Sequence, residues 1–533
     1  MLEELQRMIR EAKKAKEWIE ETRGQIRVVS HYDADGICSG SIMVKTLLRR
    51  GKDFHLTFVK QLSERILESL AEEERKLFVF LDMGSGQLEM IKKHLDSKVI
   101  ICDHHQPKGE ANENVIHINS VLTGIEDNIS GSGVTYILSR TIDPKNIDLS
   151  EFAVIGAIGD SQIDAIGKDW GVSGLNREIL KDAQSEGKIK VSKGIRLWGR
   201  FTRPLHRALA YSMDPYIPGI TGSESASVQF LQEIGIPLKK DDGSWRTIAD
   251  LSFEEQKKLA DGIIKERIRA DHENPEFIFG DVYDLLDKEG EFRDANEFAT
   301  ILNACGKMGF ASLGVSLCLN EKEAYGKARE VLEKYRKEIG KGVSWVRSNL
   351  ENPEVVRKKK GIYILAGSNI PENLISNVIS IVNHSGFFPE KPLFGIADSE
   401  EGVKISARVS DSLVEKGVKL DEIMNEISGK LGGEGGGHMA AAAAVIPKEK
   451  QEEFINMTEQ ILTNIIGGEH GNEKQTETER RAGREEGGEA REGSETGGER
   501  REGGAEEMER KGLVQYFGTQ GTGGETSRPG SGN

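Results

Sequence analysis

Cysteine is scarce in this chain. Cys38, Cys102, Cys305 and Cys318 are the four in 533 residues, and they form no CxxC pair, which excludes a thiolate zinc knot and makes a disulfide framework a poor fit. Long apolar runs are missing as well, since no window approaches the roughly 18 consecutive apolar residues of a membrane span. The opening stretch MLEELQRMIREAKKAKEWIE has the charge and spacing of an amphipathic helix and lacks the apolar centre of a signal peptide. These absences lead us to expect a cytoplasmic protein. Positive charge is in deficit, with 72 Lys and Arg against 88 Asp and Glu and a net charge of −16. A chain of this sign does not hold duplex DNA by bulk electrostatics. It is compatible with a locally basic groove, or with an anionic substrate held through metal ions.

What is present is too long for one core, so two or three domains are expected. From about Gln25 to Asp160, short β-branched runs alternate with helical stretches. IRVVS, FHLTFV, LFVFLD and KVIICD read as strands buried on both faces of a parallel sheet, with CSGSIMVKTLLRR, SERILESLAEEE and QLEMIKKHLD as helices between them. This order predicts an α/β fold whose N-terminal domain, residues 1–190, is an open doubly wound sheet. Residues 191–290, with DPYIPGITG and SFEEQKKLADGIIKERIRA, read as a mostly helical insert or connector. A smaller α/β unit over residues 291–466 follows, with GVSLCL, GIYILAG, PLFGIAD and VKISARV as strands and NEFATILNAC as a helix. The segment 467–533 holds 18 of the 61 glycines, and Met508 is its one long apolar side chain before Lys511. Such a composition cannot offset its ordering entropy, so this tail is expected to be disordered.

Four acidic or histidine clusters follow apolar runs. They are His31-Tyr32-Asp33-Ala34-Asp35-Gly36 after IRVVS, Asp82-Met83-Gly84 after LFVFL, Asp103-His104-His105 after KVIIC, and Gly159-Asp160 at the end of FAVIGAIG. Singly, each has an ordinary reading as a turn, a helix cap or a hydrogen-bonded loop. Ligands in open α/β sheets bind beyond the carboxyl ends of the strands, so the first three clusters should converge in one crevice. His31, Asp33 and Asp35 alternate, and in an extended segment all three point to one side. Carboxylates and imidazoles gathered this way suffer repulsion and desolvation unless cations compensate them. Two divalent ions do so. Hard oxygen with imidazole and no thiolate suits Mn²⁺ first, and Mg²⁺ or Zn²⁺ less strongly. Two such ions activate water and clamp phosphoryl oxygens in an in-line displacement, so the expected chemistry is phosphoester hydrolysis.

HYDADG, LDMG, CDHH and AIGD resemble, in order, the four motifs of the DHH phosphoesterase superfamily. GGEGGGHMAAAAAV, from Gly432 to Val445, is similar to the GGGH motif of the DHH-associated domain, and KISARV, with Arg408, to that domain's substrate-phosphate strand. SHYDADG, RPLHRALAYSMDPYIPGITG and NEFATILNACGKMG are similar to archaeal RecJ-like proteins, including the GINS-associated nucleases. The resemblance implies that His31 and Asp33 hold one ion, that Asp35, His104 and Asp160 hold the other, and that Asp82 bridges them. Asp103 would orient a histidine, and His105 would stabilise charge on the scissile phosphate. Arg408, Gly435, Gly436, Gly437 and His438 would bind substrate, the glycines offering bare N–H groups to a phosphate. From the residues alone, the glycine run reads equally as a flexible loop. The basic run Arg357-Lys358-Lys359-Lys360 either solvates a strand edge or lines a nucleic-acid path.

The implied activity is a metal-dependent exonuclease on single-stranded nucleic acid, 5′ to 3′ on DNA, in replication or repair, with GINS as a partner of the insert. Two alternatives stand beside it: a short-oligonucleotide or small-molecule phosphodiesterase, and a replicative-helicase scaffold with little activity. Near the C-terminus, Arg510-Lys511-Gly512-Leu513-Val514-Gln515-Tyr516-Phe517 interrupts the polar tail. Leu513, Tyr516 and Phe517 share one face of a helical turn, which resembles the PCNA-interacting peptide with Arg510 in place of its first Gln. A clamp tether on a long polar linker is the partner this implies.

Overall fold

The computed structural model describes residues 2–467 except 126–128, 167–168, 213–214, 271, 273, 386–387 and 389–390. Leu513, Tyr516 and Phe517 lie outside the described residues, with the rest of 468–533.

Five parallel strands form the N-terminal sheet: β1 (Ile26–His31), β2 (Phe54–Val59), β3 (Leu77–Leu81), β4 (Lys98–Asp103) and β5 (Val115–Asn119), in the order β2-β1-β3-β4-β5. β3 and β5 are buried along their whole length, as strands covered on both faces must be. Helix Leu2–Glu21 lays Met8, Ala12, Ala15 and Ile19 against Ile26, Val28, Leu77 and Val79 on one face. Leu67, Leu70, Leu88 and Ile91 cover Phe78, Phe80, Val99 and Ile101 on the other. The winding reverses between β1 and β3, so their carboxyl ends open the crevice in which doubly wound sheets take ligands.

A four-stranded sheet follows, in the order β6-β7-β9-β8, from β6 (Ile163–Ile166), β7 (Asp169–Val172), β8 (Ile189–Ile195) and β9 (Phe279–Leu285). The helices Leu205–Ala210, Glu224–Glu233 and Phe253–Arg269 lie between β8 and β9 in sequence, with a core that includes Leu209, Leu231, Leu259 and Ile263. The helical region is therefore mounted on an antiparallel strand pair.

The C-terminal sheet has the order β10-β11-β12-β13-β15-β14, from β10 (Val356–Lys358), β11 (Ile362–Gly367), β12 (Leu393–Ser399), β13 (Gly402–Arg408), β14 (Glu434–His438) and β15 (Ala441–Ile446). Helix Ile375–His384 covers one face, and helices Leu420–Lys430 and Gln451–Gly467 the other. No helix among the described residues is long and apolar enough to cross a membrane.

GVSLCL is not a strand. It lies in helix Ala311–Cys318, where Ala311, Gly314, Val315 and Cys318 are buried at i, i+3, i+4 and i+7. A short apolar run does not distinguish a buried strand from a buried helix, and here the 3.6-residue spacing decides. Against a second unit expected from residue 291, residues between Phe292 and Tyr335 share a core with helices Ala34–Arg49 and Ser150–Gly159, and the C-terminal sheet begins at Val356. In the basic run, Arg357 donates to Glu452 (2.7 Å) and Lys358 to Glu351 (2.9 Å), so these two cations solvate a sheet edge.

Candidate metal centre and substrate cleft

The DADG segment does two jobs at once. His31 ends β1, and Asp33 is the N-cap of helix Ala34–Arg49: one oxygen accepts from Gly36 N (3.0 Å) and the other lies 3.0 Å from His31 Nδ1. Asp35 consequently sits in the first helical turn and not in extended chain, which corrects the expected alternation of the three side chains. The Asp-x-x-Gly spacing satisfies an orphan N–H at the helix start, and that gain outweighs extension of the strand. A Cβ on Gly36 would lie 2.1 Å from the His31 carbonyl oxygen, so only glycine lets the helix start so close to the strand. Asp35 turns into the N-terminus of helix Gly131–Ile142, accepting from Gly131 N (2.7 Å), Ser132 N (3.1 Å) and the Ser132 hydroxyl. Asp82 follows β3 in the left-handed region, φ 56°, where Asp is among the few tolerated residues.

These local devices bring the predicted residues together. Asp82 Oδ2 is 3.4 Å from His31 Nδ1, Asp82 Oδ1 is 3.5 Å from His104 Nε2, and His104 Nε2 is 3.6 Å from Asp160 Oδ2. Three overlapping groups result: His31, Asp33 and Asp82; Asp35, His104 and Asp160; and Asp82 with Asp103, His104 and His105. Asp82 faces both ion-sized clusters, one oxygen toward each. Asp82 Oδ1 and His104 Nε2 are buried without a hydrogen-bond partner among the described residues. Orphaned atoms of this type, within a carboxylate and imidazole set, fit divalent cations.

The electrostatics show how crowded the site is. Burial, then the charges of Asp82 and Asp160, hold Asp35 well above the usual carboxylate range. Burial also raises Asp160, to about 6, against the pull of His104. Burial opposes charge on His104, yet the carboxylates of Asp82, Asp160 and Asp35 raise it to about 10. His31 is likewise raised, by Asp33 and then Asp82, despite its burial. Two carboxyls run the other way: against its burial, His31 holds Asp33 well below the usual carboxylate range, and the second is Asp103. In spite of burial it is held far down by His105, which it contacts at 2.7 Å through Nδ1, and it also accepts from Ser85 N (2.9 Å) and His104 N (2.9 Å).

Several orienting residues carry no motif. The Gln162 side-chain amide lies 3.3 Å from His104 Nδ1, donates to Asp160 Oδ2 (2.8 Å), and is itself held by Asn176 (2.6 Å). Asn119 donates to the Ser85 hydroxyl and to the His105 carbonyl, both at 2.9 Å. The available signals were positional only: Gln162 stands two residues beyond Asp160, and Asn119 ends a strand of the same sheet. Gly131 and Gly156 are steric requirements, since a Cβ on either would come within 2.5 Å of an oxygen of Asp82 or Asp35.

The C-terminal sheet and helix Ala295–Lys307 supply a basic wall. Arg408, at the end of β13, donates to Ser380 Oγ (2.7 Å), and burial lowers its pKa to about 10. Lys307 donates to Asn377 (2.6 Å); burial, then Lys404 and Arg408 against Asp33, lowers it to about 8. Burial lowers His438, and so do the charges of His105 and His104, which places it facing the DHH residues. The glycine run is an edge strand, not a loop. A Cβ on Gly435 would strike the Met424 carbonyl, Gly437 has φ 141°, and Gly436 faces open space. A cavity of about 370 Å³ lined by Tyr32, Phe58, Lys60, Lys307 and Asn373 adjoins the metal crevice. Lys60 and Gln61 reach across to Glu372 (2.5 Å) and Glu434.

Three family models match the chain: the DHH family N-terminal domain over residues 25–159, the DHH-CID domain over 197–277 and the DHHA1 domain over 364–464. An uncharacterised protein, MJ0831, of Methanocaldococcus jannaschii is 33% identical over 87% of this chain and 99% of its own length. The single-stranded-DNA-specific exonuclease RecJ of Thermus thermophilus is 25% identical over 32% of this chain and 27% of the enzyme. Among solved structures, Mn²⁺-bound RecJ from Thermus thermophilus aligns with a TM-score of 0.52 at 18% identity, over 86% of this chain and 55% of that one. CDC45 from Entamoeba histolytica aligns with a TM-score of 0.56 at 13% identity, over 85% of this chain and 98% of that one. The chain thus spans about half of the Thermus RecJ structure and nearly all of the Methanocaldococcus protein.

Proposed function

The chain belongs to the RecJ-like members of the DHH superfamily, metal-dependent phosphodiester hydrolases, and we propose that it is itself a two-metal exonuclease on single-stranded nucleic acid. The observation that carries this reading is the position of Asp82, which aims one oxygen at His31 and the other at His104. In this reading His31, Asp33 and Asp82 hold one divalent ion, and Asp35, His104, Asp160 and Asp82 hold the other. The ions, when bound, activate water and neutralise charge on the phosphate.

The remaining steps fall to the chain's own side chains. Asp103 fixes the His105 ring through Nδ1, leaving Nε2 to donate toward a phosphoryl oxygen as negative charge grows there. Gln162 fixes the His104 ring, and Asn119 holds the backbone at His105. Across the cleft, Lys307, Arg408 and His438 offer positive charge and N–H donors to the phosphates that flank the scissile bond. Gly436, with open space where a side chain would stand, gives a strand terminus close access to the backbone. Contacts from Lys60 to Glu372 and from Gln61 to Glu434 bridge the cleft, and a closed passage of this kind admits single strands by their ends.

Mn²⁺ is the ion we assign, on the mixed oxygen and imidazole set. A role in DNA replication or repair, with GINS at the insert and a sliding clamp at the tail, extends the same reading. The test is a time course on 5′- and 3′-labelled single strands of DNA and RNA, with Mn²⁺, Mg²⁺ or EDTA. Mononucleotide release in Mn²⁺ and none in EDTA is the expected result. Hydrolysis confined to dinucleotides would replace the reading with a short-oligonucleotide phosphodiesterase, and no hydrolysis of any strand would end it.

A further inference from the structure

The loop entering the helical insert, Arg196-Leu197-Trp198-Gly199-Arg200-Phe201-Thr202-Arg203, interleaves cations with aromatics. Arg200 has a structural role: it is buried and pairs with Asp284 (2.9 Å) and Asp294 (2.5 Å). Arg203 is different, and so is Arg336 on helix Lys322–Ser348. Among the described residues neither guanidinium forms an ion pair or donates a hydrogen bond. Instead Arg336 stacks over Trp198 at 4.6 Å, and Arg203 lies 5.8 Å from the Tyr211 ring.

Two cations without acceptors, set side by side, favour an anion. Partial desolvation at the loop lowers both below the usual arginine range, and the charge of Arg203 acts next on Arg336, bringing it to about 10 although part of that side chain stays in water on its helix face. The opposing charges are few. Glu291 engages Arg329, and Glu333 is exposed on Arg336's own helix. Glu297 accepts from Gly199 N (2.8 Å) and Arg200 N (3.0 Å), and burial, then Asp294, raises it to about 8. Its charge acts on both arginines from a distance, but its Oε1 is taken up by the two backbone N–H groups and it pairs with neither guanidinium.

The placement is built into the fold. Gly199 has φ 88°, and a Cβ there would lie 2.5 Å from the Arg203 side chain, so glycine is what allows that side chain to fold back over the loop. Helix Ala295–Lys307 carries Glu297 beneath this loop and brings Gly306 against the Tyr32 carbonyl at the metal crevice. Nine residues of helix span about 14 Å, at 1.5 Å per residue. At roughly 3.4 Å per nucleotide of stacked strand, that is a run of about four nucleotides. We propose that Arg203 and Arg336, seated against Tyr211 and Trp198, form a phosphate-binding subsite that holds the backbone of the substrate strand a few nucleotides from the metal crevice.

This inference rests on the nuclease reading, and its test separates the two. Fluorescence anisotropy with phosphorothioate oligonucleotides of three and twelve residues, in Mn²⁺ over a salt series, gives affinities without turnover. The wild type should prefer the longer strand. In Arg203→Ala with Arg336→Ala, the ratio of twelve-residue to three-residue affinity should fall about tenfold, near 1.4 kcal/mol. The salt slope for the longer strand should become shallower by about 0.7 for each phosphate that is no longer neutralised. Arg336→Lys should keep most of the slope. An unchanged ratio and slope, in a double variant that melts like the wild type, overturns the subsite. If the double variant melts lower, Arg336→Ala alone decides, because that side chain lies on an exposed helix face. Absence of hydrolysis by the wild type would remove the nuclease reading, whereas the anisotropy would still report whether the arginine pair binds a strand.

Discussion

Asp82→Asn isolates one charge in the candidate metal centre with little else altered. Asparagine has the same shape and tolerates the left-handed backbone at φ 56°, whereas alanine would add about 1–2 kcal/mol of strain there. Asp82 lies 3.4 Å from His31 and 3.5 Å from His104, so its carboxylate is in direct reach of both proposed ions. At an effective dielectric of about 20, two unit charges about 4 Å apart interact by roughly 4 kcal/mol; taken as a lower bound for a divalent ion, this is about a thousandfold in metal affinity. Melting in a Mn²⁺ titration reads this out. At a hundred times its dissociation constant, bound metal stabilises the wild type by about 2.7 kcal/mol. The same concentration falls near a tenth of the variant's constant and stabilises it by less than about 0.1 kcal/mol. Without metal the two proteins should melt alike, because the substitution removes the repulsion of Asp35 and Asp160 together with the attraction to His31 and His104. Hydrolysis in the variant should be undetectable at that Mn²⁺ concentration. Full activity with an undiminished Mn²⁺ shift would refute the two-metal assignment.

Three further outcomes follow from the geometry. Gln162→Ala, which frees the His104 ring and deprives Asp160 of a donor, should lower kcat about 10- to 100-fold at saturating Mn²⁺ with KM and melting unchanged; a KM effect alone would assign Gln162 to substrate. His104, raised to about 10, and Asp160, raised to about 6, must each shed a proton to coordinate an ion. Mn²⁺ affinity should therefore rise with pH and fall as Asp160 protonates below about 6, and calorimetry in buffers of different ionisation enthalpy should show proton release; none released would contradict the ligand set. Gly306→Ala would put a Cβ 1.7 Å from the Tyr32 carbonyl, backbone against backbone, so it should destabilise the protein by about 1–3 kcal/mol in denaturant titration; a neutral result would mean that helix Ala295–Lys307 is not fixed against the crevice.

The parallel sheet was legible because β1, β3 and β4 are buried and so read as apolar runs, and because each of the three ends in a polar cluster that a core would not tolerate. β2, Phe54–Val59, is a half-exposed edge strand and could be read only from its aromatic and β-branched residues. β5, Val115–Asn119, could not, since VIHIN places a histidine in its centre, and that histidine is accommodated by contact with the Ser85 hydroxyl (2.8 Å). Periodicity failed for GVSLCL, where six residues are too few to separate a two-residue repeat from a 3.6-residue one. In the site, the residues that announce themselves are the charged ones. Those that hold them were silent: Asp35 depends on Gly131 and Ser132, and the His104 ring on Gln162 and through it Asn176. Glycine, serine and amides are ordinary in any sequence, and only the distances they close give them meaning.

The net charge of −16 shapes how such a site must work. At physiological salt the chain's field extends about 8 Å, so a polyanion approaching the acidic surface gains nothing from steering and binds only where positive charge is concentrated. Much of the surface charge is already neutralised in local pairs such as Lys92–Glu89, Lys181–Glu178 and Lys430–Glu426. The cations of the cleft are of another kind. Burial, the dominant influence on Lys307, Lys404 and Arg408, works against their charge, so each is raised in energy until an anion arrives. Under the proposed function, a phosphate entering between them and the carboxylates assigned to the ions would relieve that penalty on one side, while the ions would relieve the crowding of Asp35, Asp82 and Asp160 on the other. Substrate, metal and protein are in this sense mutually dependent for charge balance. Strand affinity should then depend on metal even where no ligand of the metal touches the strand's distal phosphates.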